Sequence, residues 1–206
     1  MANTFAPFGF RQLRRFDGGA PTMGFDTLTI ASSDTAPVFT GDPVATNTSY
    51  GNYVTAGSVV DAKIRGIFLG CEYYSPTVGR KVWSPYFPGS VQTSSGTNDV
   101  TAWVCTDPDI LWIAQCSTTA TVTSSNLNNN IGYVVTGSSL GNTLSGVSVV
   151  TLDSTAIGTS SSYPFRIVDF YSNYAPPGTN GTDNASAGNI LVVAGNNWDR
   201  KNLTAP

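Results

Sequence analysis

The chain has 206 residues, of which ten are Lys or Arg, thirteen are Asp or Glu and three are Cys, with no His. Its net charge of -3 offers no basic field for nucleic acid or an anionic membrane surface. Because His is the usual general base near neutral pH and the commonest metal ligand, its absence argues against catalytic triads and His-ligated metals. We therefore expect a protein that is not an enzyme, needs no metal or cofactor, and binds neither nucleic acid nor membrane.

The composition favours strands, turns and loops over helices. Strong helix formers are rare, with one Glu, three Lys and two Met, whereas there are 26 Thr, 22 Ser, 16 Asn and 21 Gly. Thr favours strands, and Ser, Asn and Gly favour turns. The length suffices for one well-buried core. The sequence therefore predicts a single all-β domain.

The first 24 residues are expected to form an extended N-terminal arm. Phe8 and Phe10 lie beside Pro and Gly, three Arg follow within five residues, and residues 17–19 (DGG) break any helix. Aromatic and Arg residues are enriched at protein interfaces. The expected interface residues are Phe8, Phe10, Arg11, Arg14 and Arg15. On this hypothesis, deletion of residues 2–15 leaves the β body folded. The alternative, in which the Phe residues pack on the chain's own core, stays open.

From residue 25 to residue 206 we expect one β domain of short strands separated by turns. The spacing is typical of a single antiparallel β-barrel or a jelly-roll-like sandwich with long loops. The longest loop, rich in Pro, Gly and Asn, is predicted at 173–188. The apolar runs in 110–114 and 190–194 have no polar face, which predicts central or interface strands. The predicted strands are 27–31, 36–40, 58–61, 64–74, 100–105, 110–116, 119–124, 131–136, 147–152, 165–171 and 190–194.

Few residues form a pattern that indicates chemistry. Asp107 and Asp109 flank a Pro, which favours a turn over a pair of catalytic or calcium-binding carboxylates, and Asp42 before Pro43 is interpreted in the same way. The three Cys show no C-x-x-C spacing and lie in or beside apolar runs, so we expect small buried side chains.

Five aromatic residues cluster within fifteen positions: Tyr73, Tyr74, Trp83, Tyr86 and Phe87. Aromatic side chains on an exposed surface stack on sugars or anchor a protein partner. The alternative is packing over one end of the β domain. The cluster is therefore a possible contact surface.

Six segments, taken in order along the chain, carry a resemblance to a known family. They are 6–11 (APFGFR), 41–44 (GDPV), 64–70 (IRGIFLG) with Glu72, 107–112 (DPDILW) with Gln115, 164–167 (PFRI) and 190–193 (ILVV). With these segments the sequence resembles the head decoration, or cement, proteins of tailed bacteriophages, which are encoded beside the major capsid protein.

The resemblance implies a structural virion protein that binds the outside of the phage head and bridges neighbouring major capsid protein subunits. It also implies self-association, with a trimer favoured. Residues 1–15 contain no apolar stretch of the kind found in secretion signals, so synthesis in the bacterial host cytoplasm and assembly onto the virion are expected. The alternative is a carbohydrate- or receptor-binding virion module that uses the aromatic cluster. A polysaccharide-cleaving enzyme with Asp107 and Asp109 as acid and base is the least favoured.

Overall fold

The computed structural model describes residues 5–20, 24–31, 33–47, 54–56, 63–89, 100–135, 141–171 and 187–201. These residues form antiparallel β-strands and one short 3-10 turn at Ser124–Asn126, with no α-helix among them. The all-β fold, of the barrel or sandwich class, is confirmed. No helix in the described ranges is long and apolar enough to cross a bilayer.

Sixteen strands are present in the described ranges. They are β1 (Arg11–Arg15), β2 (Phe25–Ile30), β3 (Val38–Phe39), β4 (Pro43–Thr46), β5 (Val54–Ala56), β6 (Gly66–Ser75), β7 (Arg80–Ser84), β8 (Tyr86–Phe87), β9 (Val100–Cys105), β10 (Ile110–Gln115), β11 (Asn130–Val135), β12 (Gly141–Asn142), β13 (Val147–Ser148), β14 (Val150–Gly158), β15 (Phe165–Phe170) and β16 (Ile190–Gly195).

Two large sheets organise these strands. Sheet A has the order β1-β10-β16-β15-β11-β14, and sheet B has the order β2-β9-β6-β4-β5, with β7 also paired to β6. Two-stranded ribbons, β3-β8 and β12-β13, accompany them. The apolar strands β10 and β16 lie inside sheet A with a partner on each side, as their lack of a polar face predicts.

The buried apolar side chains form two main cores, and sheet B contributes Ile67 and Cys105 to the one that packs against sheet A. The sheet A core includes the inner-facing side chains of β10, β11, β15 and β16, and its largest members are Trp112, Trp198, Phe165 and Tyr133. The sheet B core lies against β2, β6 and β9 and is completed by Val38 and Phe87 of the β3-β8 ribbon. Because strand side chains alternate between faces, Ile67 and Phe68 on β6 enter different cores.

Most of the predicted strands are present within a few residues of the expected bounds. The ranges 36–40 and 147–152 are strands only in part. The predicted strand at 119–124 is wrong. The Ala120 N–H donates to the Ser154 hydroxyl, and the Val122 carbonyl accepts from the Asn189 amide, so side chains occupy backbone groups that a strand partner would need. The predicted strand at 58–61 lies outside the described residues. So does the range 172–186, which holds most of the predicted long loop.

The prediction of an extended arm over residues 1–24 is wrong for the part that the structure describes. Strand β1 pairs with β10 as the edge strand of sheet A, and the Phe10 side chain is only 2% exposed. Phe10 stacks on Phe165 with ring centroids 4.4 Å apart. Deletion of residues 2–15 would remove this strand and a core ring, so we no longer expect the β body to stay intact.

Two glycines allow the N-terminal segment to lie close to the rest of the domain. Gly9 has φ +67°, and a Cβ there would lie 2.6 Å from the Ser148 Cβ. Gly41 has φ +96°, and a Cβ there would lie 3.0 Å from the Phe10 nitrogen. The Phe10 N–H donates to the Gly41 carbonyl at 3.0 Å. Only glycine combines this conformation with so close a backbone approach.

The three cysteines are buried and unpaired, as expected. Burial raises the pKa of Cys71 and of Cys116 to about 12. A thiol with so high a pKa carries almost no thiolate at neutral pH and is therefore a poor nucleophile.

Candidate interaction surfaces

A β-bulge in β1 sets the direction of its arginines. Gln12 pairs with Trp112 and Arg14 pairs with Leu111, so Leu13 is an extra residue in the edge strand. Arg14 therefore shares the outer face of sheet A with Leu111, while Gln12 is directed to the inner face with Trp112. The extra residue interrupts the alternation of inward-facing and outward-facing side chains that marks a strand. Sequence analysis therefore did not predict β1.

The outer face of sheet A carries an apolar patch that the sequence analysis did not identify as a site. Leu111, Val192 and Ala194 are nearly fully buried there, surrounded by half-buried Leu13, Ile113, Val168 and Tyr171. Exposed Phe16 lies beside the patch, along a cavity of about 310 Å³ that Val168 and Ala194 also line. The apolar sequences of β10 and β16 were the feature that could have indicated this patch. Alternate residues of each strand enter the core, and the residues between them lie on the outer face.

Basic side chains border this patch. Arg14 and Arg166 are exposed, and no carboxylate of the described residues lies within ion-pair distance of either. Lys201, at the cavity, donates to the Gly195 carbonyl and lies 3.8 Å from Asp109. One exposed carboxylate, Asp169, shares the face through its register with Val192. An apolar centre with a mainly basic border fits an acidic protein partner.

The other four predicted interface residues of the N-terminal segment differ in burial and in their partners. Phe10 belongs to the core and is therefore excluded as a contact residue, a correction to the sequence-based hypothesis. Arg15 is half-buried and donates to Asp107 at 2.7 Å, so its charge is neutralised within the chain and is unavailable to an acidic partner. Phe8 is half-buried, and the exposed Arg11 guanidinium lies 5.7 Å from its ring centroid.

The structure divides the five clustered aromatics between two faces. Phe87 is fully buried and Tyr73 packs against the same sheet B core, while Tyr86 is half-buried and stacks on Phe39 at 5.3 Å. The expected five-residue contact surface is therefore wrong for Phe87, because its strand places the ring inside. Trp83, 63% exposed, and Tyr74 remain on the outer side of the β6-β7 hairpin.

The acidic pair at 107–109 is a turn, as predicted. The Asp109 N–H donates to Asp107 Oδ1 at 2.9 Å, and Asp107 Oδ2 accepts from Arg15. The pair therefore has a local structural role. Among the described residues no group of three Asp, Glu or Cys side chains is placed to hold a metal ion.

Asp42 is a buried carboxyl that sequence analysis interpreted only as a turn residue. It is 3% exposed, and its Oδ2 accepts from the Phe39 N–H at 2.7 Å. Burial raises its pKa to about 7, although the Phe39 and Ser148 hydrogen bonds favour the charged form. No donor of the described residues reaches Oδ1.

Comparison with protein-family models, with curated proteins and with solved structures finds no match to this chain.

Proposed function

We propose that the protein is a capsid decoration protein that binds the outside of a tailed-phage head and bridges neighbouring major capsid protein subunits. The observation that carries the proposal is the outer face of sheet A, an apolar patch bordered by Arg14 and Arg166, which have no ion-pair partner among the described residues. Many identical contacts of modest strength act together on a repeating shell.

The positions of the segments that carry the family resemblance support the proposal. The Phe10 N–H bonds to the Gly41 carbonyl, the Gly41 N–H bonds to the Phe68 carbonyl at 2.9 Å, and the Phe10 ring stacks on Phe165. Trp112 and the inner row of β16 complete the same sheet A core. Segments that are distant in sequence thus meet in one place, as expected if the likeness reflects a shared fold core. The resemblance further suggests self-association, with a trimer as the proposed form.

The first test is the copy number of this chain relative to the major capsid protein in purified particles, measured by quantitative mass spectrometry. A simple lattice ratio, such as one to one, supports a protein that covers the shell. A handful of copies per particle contradicts it and indicates a vertex or tail location.

A second test uses the basic border of the patch. The double variant Arg14→Gln/Arg166→Gln is expected to weaken binding to shells of the major capsid protein about tenfold or more at low salt, because two exposed charges facing an acidic partner are removed. Co-sedimentation with shells over a range of salt concentrations measures this loss.

The matched control is Arg80→Gln/Lys81→Gln, which removes two exposed charges from β7 in sheet B. We expect it to bind shells as the wild type does. Equal binding of both double variants would remove the outer face of sheet A from the proposal. Loss of binding in the control alone would assign the contact to the β6-β7 hairpin.

A carbohydrate- or receptor-binding role is the second candidate, favoured by the exposed indole of Trp83. Its ring lies against Gly70, where a Cβ would come within 3.1 Å of the ring, so the indole is supported by backbone while 63% of the residue stays exposed. If this role is correct, Trp83→Ala abolishes binding on a glycan array while the unfolding midpoint stays unchanged. The half-buried Tyr86→Phe variant, which keeps the ring stacked on Phe39, is the control and retains binding. Glycan binding that survives Trp83→Ala rejects this surface.

A further inference from the structure

The most exposed large apolar side chain of the described residues is Leu144, which is 97% exposed. It lies in the turn of the β12-β13 hairpin, and the hairpin residues 141–148 (GNTLSGVS) carry no charge. Single exposed leucines are common on protein surfaces, so exposure alone indicates no site. What distinguishes Leu144 is how firmly the hairpin around it is held.

The turn that carries Leu144 is fixed by the Asn142 side chain and by its own backbone. Asn142 Oδ1 accepts from the Leu144 N–H at 2.9 Å and from the Ser145 N–H at 3.3 Å. The Gly146 N–H donates to the Asn142 carbonyl at 2.7 Å. An Asn side chain that bonds the backbone ahead of it stabilises a turn. Because the turn is already ordered, placing Leu144 against a partner costs little backbone entropy.

Thr40 joins the base of this hairpin to the rest of the domain. Its N–H donates to the Gly146 carbonyl at 3.0 Å, and its carbonyl accepts from the Ser148 N–H at 3.1 Å. Its hydroxyl donates to the Pro85 carbonyl and lies 3.2 Å from the Leu69 carbonyl. A Cβ at Gly146 would overlap the Pro85 ring, so the hairpin lies directly on this proline. The hairpin is therefore a rigid projection that presents one leucine to solvent.

A second cavity of about 310 Å³ lies beside the same junction, and Thr40 is one of its lining residues. Half-buried Phe8 and Leu69 supply apolar walls that are open to solvent. The one charged side chain among the described lining residues is Arg11, whose guanidinium lies 5.7 Å from the Phe8 ring centroid. The volume is at the lower end of the range for ligand sites and is ample for one apolar side chain.

We propose that Leu144 of one copy of this chain enters the cavity lined by Phe8 and Leu69 of a second copy. Leu144 is exposed in its own chain and does not fill its own cavity. The leucine and the cavity are neighbours, because Thr40 holds the hairpin base and lines the cavity. One surface of each copy therefore both supplies a leucine and accepts one, which allows a closed symmetric assembly.

The charges of the chain favour a second copy as the partner. The hairpin carries no charge that Arg11 at the cavity could repel. A net charge of -3 is small for 206 residues, so copies of the chain repel each other only weakly. A side chain that fills a pocket at the centre of an interface supplies much of the binding energy, and a buried leucine is favourable because its apolar area leaves water.

This inference rests on the self-association included in the proposed function and names the surface responsible for it. It uses neither Arg14 nor Arg166, which border the patch proposed to bind the shell. The two roles are therefore tested by different variants.

Sedimentation equilibrium of the full chain, without shells and over a wide range of concentrations, measures self-association. We expect the wild type to form a closed oligomer, whether a dimer or the trimer proposed above, and Leu144→Ser to weaken its formation about tenfold or more. Val78→Ser, a change on the exposed turn between β6 and β7, is the matched control and is expected to associate as the wild type does. Both side chains are exposed, so the unfolding midpoint should stay unchanged. A wild type that remains monomeric throughout, or Leu144→Ser that associates as the wild type does, overturns the proposal.

Cysteine pairing tests the cavity side of the contact. Chains carrying Leu144→Cys are mixed with isotope-labelled chains carrying Arg11→Cys, an exposed position at the cavity, and then oxidised. A disulfide between the two kinds of chain, identified by mass spectrometry, is expected, because pairing requires the two Cα atoms to lie within about 7 Å. The native cysteines are buried and do not compete.

The control for this pairing is Val78→Cys mixed with Arg11→Cys, which is expected to give little mixed disulfide. Equal yields from the two mixtures, or no pairing of Leu144→Cys with Arg11→Cys in an intact oligomer, would place Leu144 elsewhere and reject the proposed contact.

Shell binding of the same variants separates this inference from the capsid role. Self-association that depends on Leu144 in a chain that never binds shells would keep this contact and reject the capsid role. If Leu144→Ser associates normally but no longer binds shells, the leucine contacts the capsid protein instead, and the pairing of two copies is rejected.

Discussion

Replacing Phe10 with Ala is expected to lower the free energy of unfolding by about 3–5 kcal/mol, the usual loss when a buried Phe is truncated. The ring is 2% exposed and stacks on Phe165 at 4.4 Å, so its removal leaves a cavity in the sheet A core. Its neighbours are held by a backbone hydrogen bond from Phe10 to Gly41, which limits collapse of the cavity. Urea unfolding followed by tryptophan fluorescence measures the change.

Phe8→Ala is the matched control, since Phe8 lies two residues earlier and is half-buried outside the core clusters. We expect it to lower the free energy of unfolding by no more than about 1.5 kcal/mol, because part of the ring stays in water and its removal leaves no enclosed cavity. A small and equal effect of both variants would mean that Phe10 does not pack in the core in solution, and the N-terminal arm would again be the better description.

The second large effect concerns the pH dependence of stability. Burial raises the pKa of Asp42 from 3.8 to about 7, so between these values the folded protein holds a proton that the unfolded chain releases. The stabilisation is fully present below about pH 3.8 and is lost as the pH rises through 7. At about 1.4 kcal/mol per pH unit, Asp42 alone lowers the free energy of unfolding by about 4 kcal/mol across this window.

Asp42→Asn is expected to remove this dependence. The Asn side-chain oxygen can accept from the Phe39 N–H as Asp42 Oδ2 does, and no charge remains to be buried. The variant should therefore be more stable than the wild type above about pH 7 and close to it near pH 4. Urea unfolding of the wild type and of Asp42→Asn at several pH values across this range gives the difference in their stability as a function of pH.

Asp169→Asn is the control for the loss of one negative charge, because Asp169 is exposed on β15. It is expected to change stability little at any pH in the window. A difference in the free energy of unfolding between Asp42→Asn and the wild type that is the same at every pH would contradict the prediction. It would mean that the carboxyl of Asp42 does not titrate within the window and that the structural account of its burial is wrong.

Sequence analysis predicted part of the candidate surface. Arg14 was predicted as a contact residue and lies exposed at the border of the apolar patch. Arg166, between inward-facing Phe165 and Ile167, showed the alternation that places it outside, yet nothing in the sequence joined it to Arg14. The two meet on one face only because β1 and β15 flank β10 and β16 in sheet A.

The burial of individual side chains was harder to predict than the strands. Trp83 and Phe87 are four residues apart in an aromatic cluster, yet one is 63% exposed and the other fully buried. The difference arises because Trp83 is on β7, at the edge of sheet B, whereas Phe87 pairs through β8 with Val38 of a separate ribbon. Phe87 pairs with a residue 49 positions earlier in the chain, and so distant a partner is not visible in a local pattern.

The fold class and the central strands follow from the amino-acid sequence alone. A composition rich in Thr, Ser, Asn and Gly and poor in helix formers has no stable helical alternative, and apolar runs without a polar face must be covered on both sides. The folded chain is needed to see that β1 joins sheet A, that Phe10 and Asp42 are buried, and that Arg14 and Arg166 lie on one face. Each of these depends on a bulge, a glycine or a pairing between distant segments, and such long-range packing overrides the local preferences that a sequence displays.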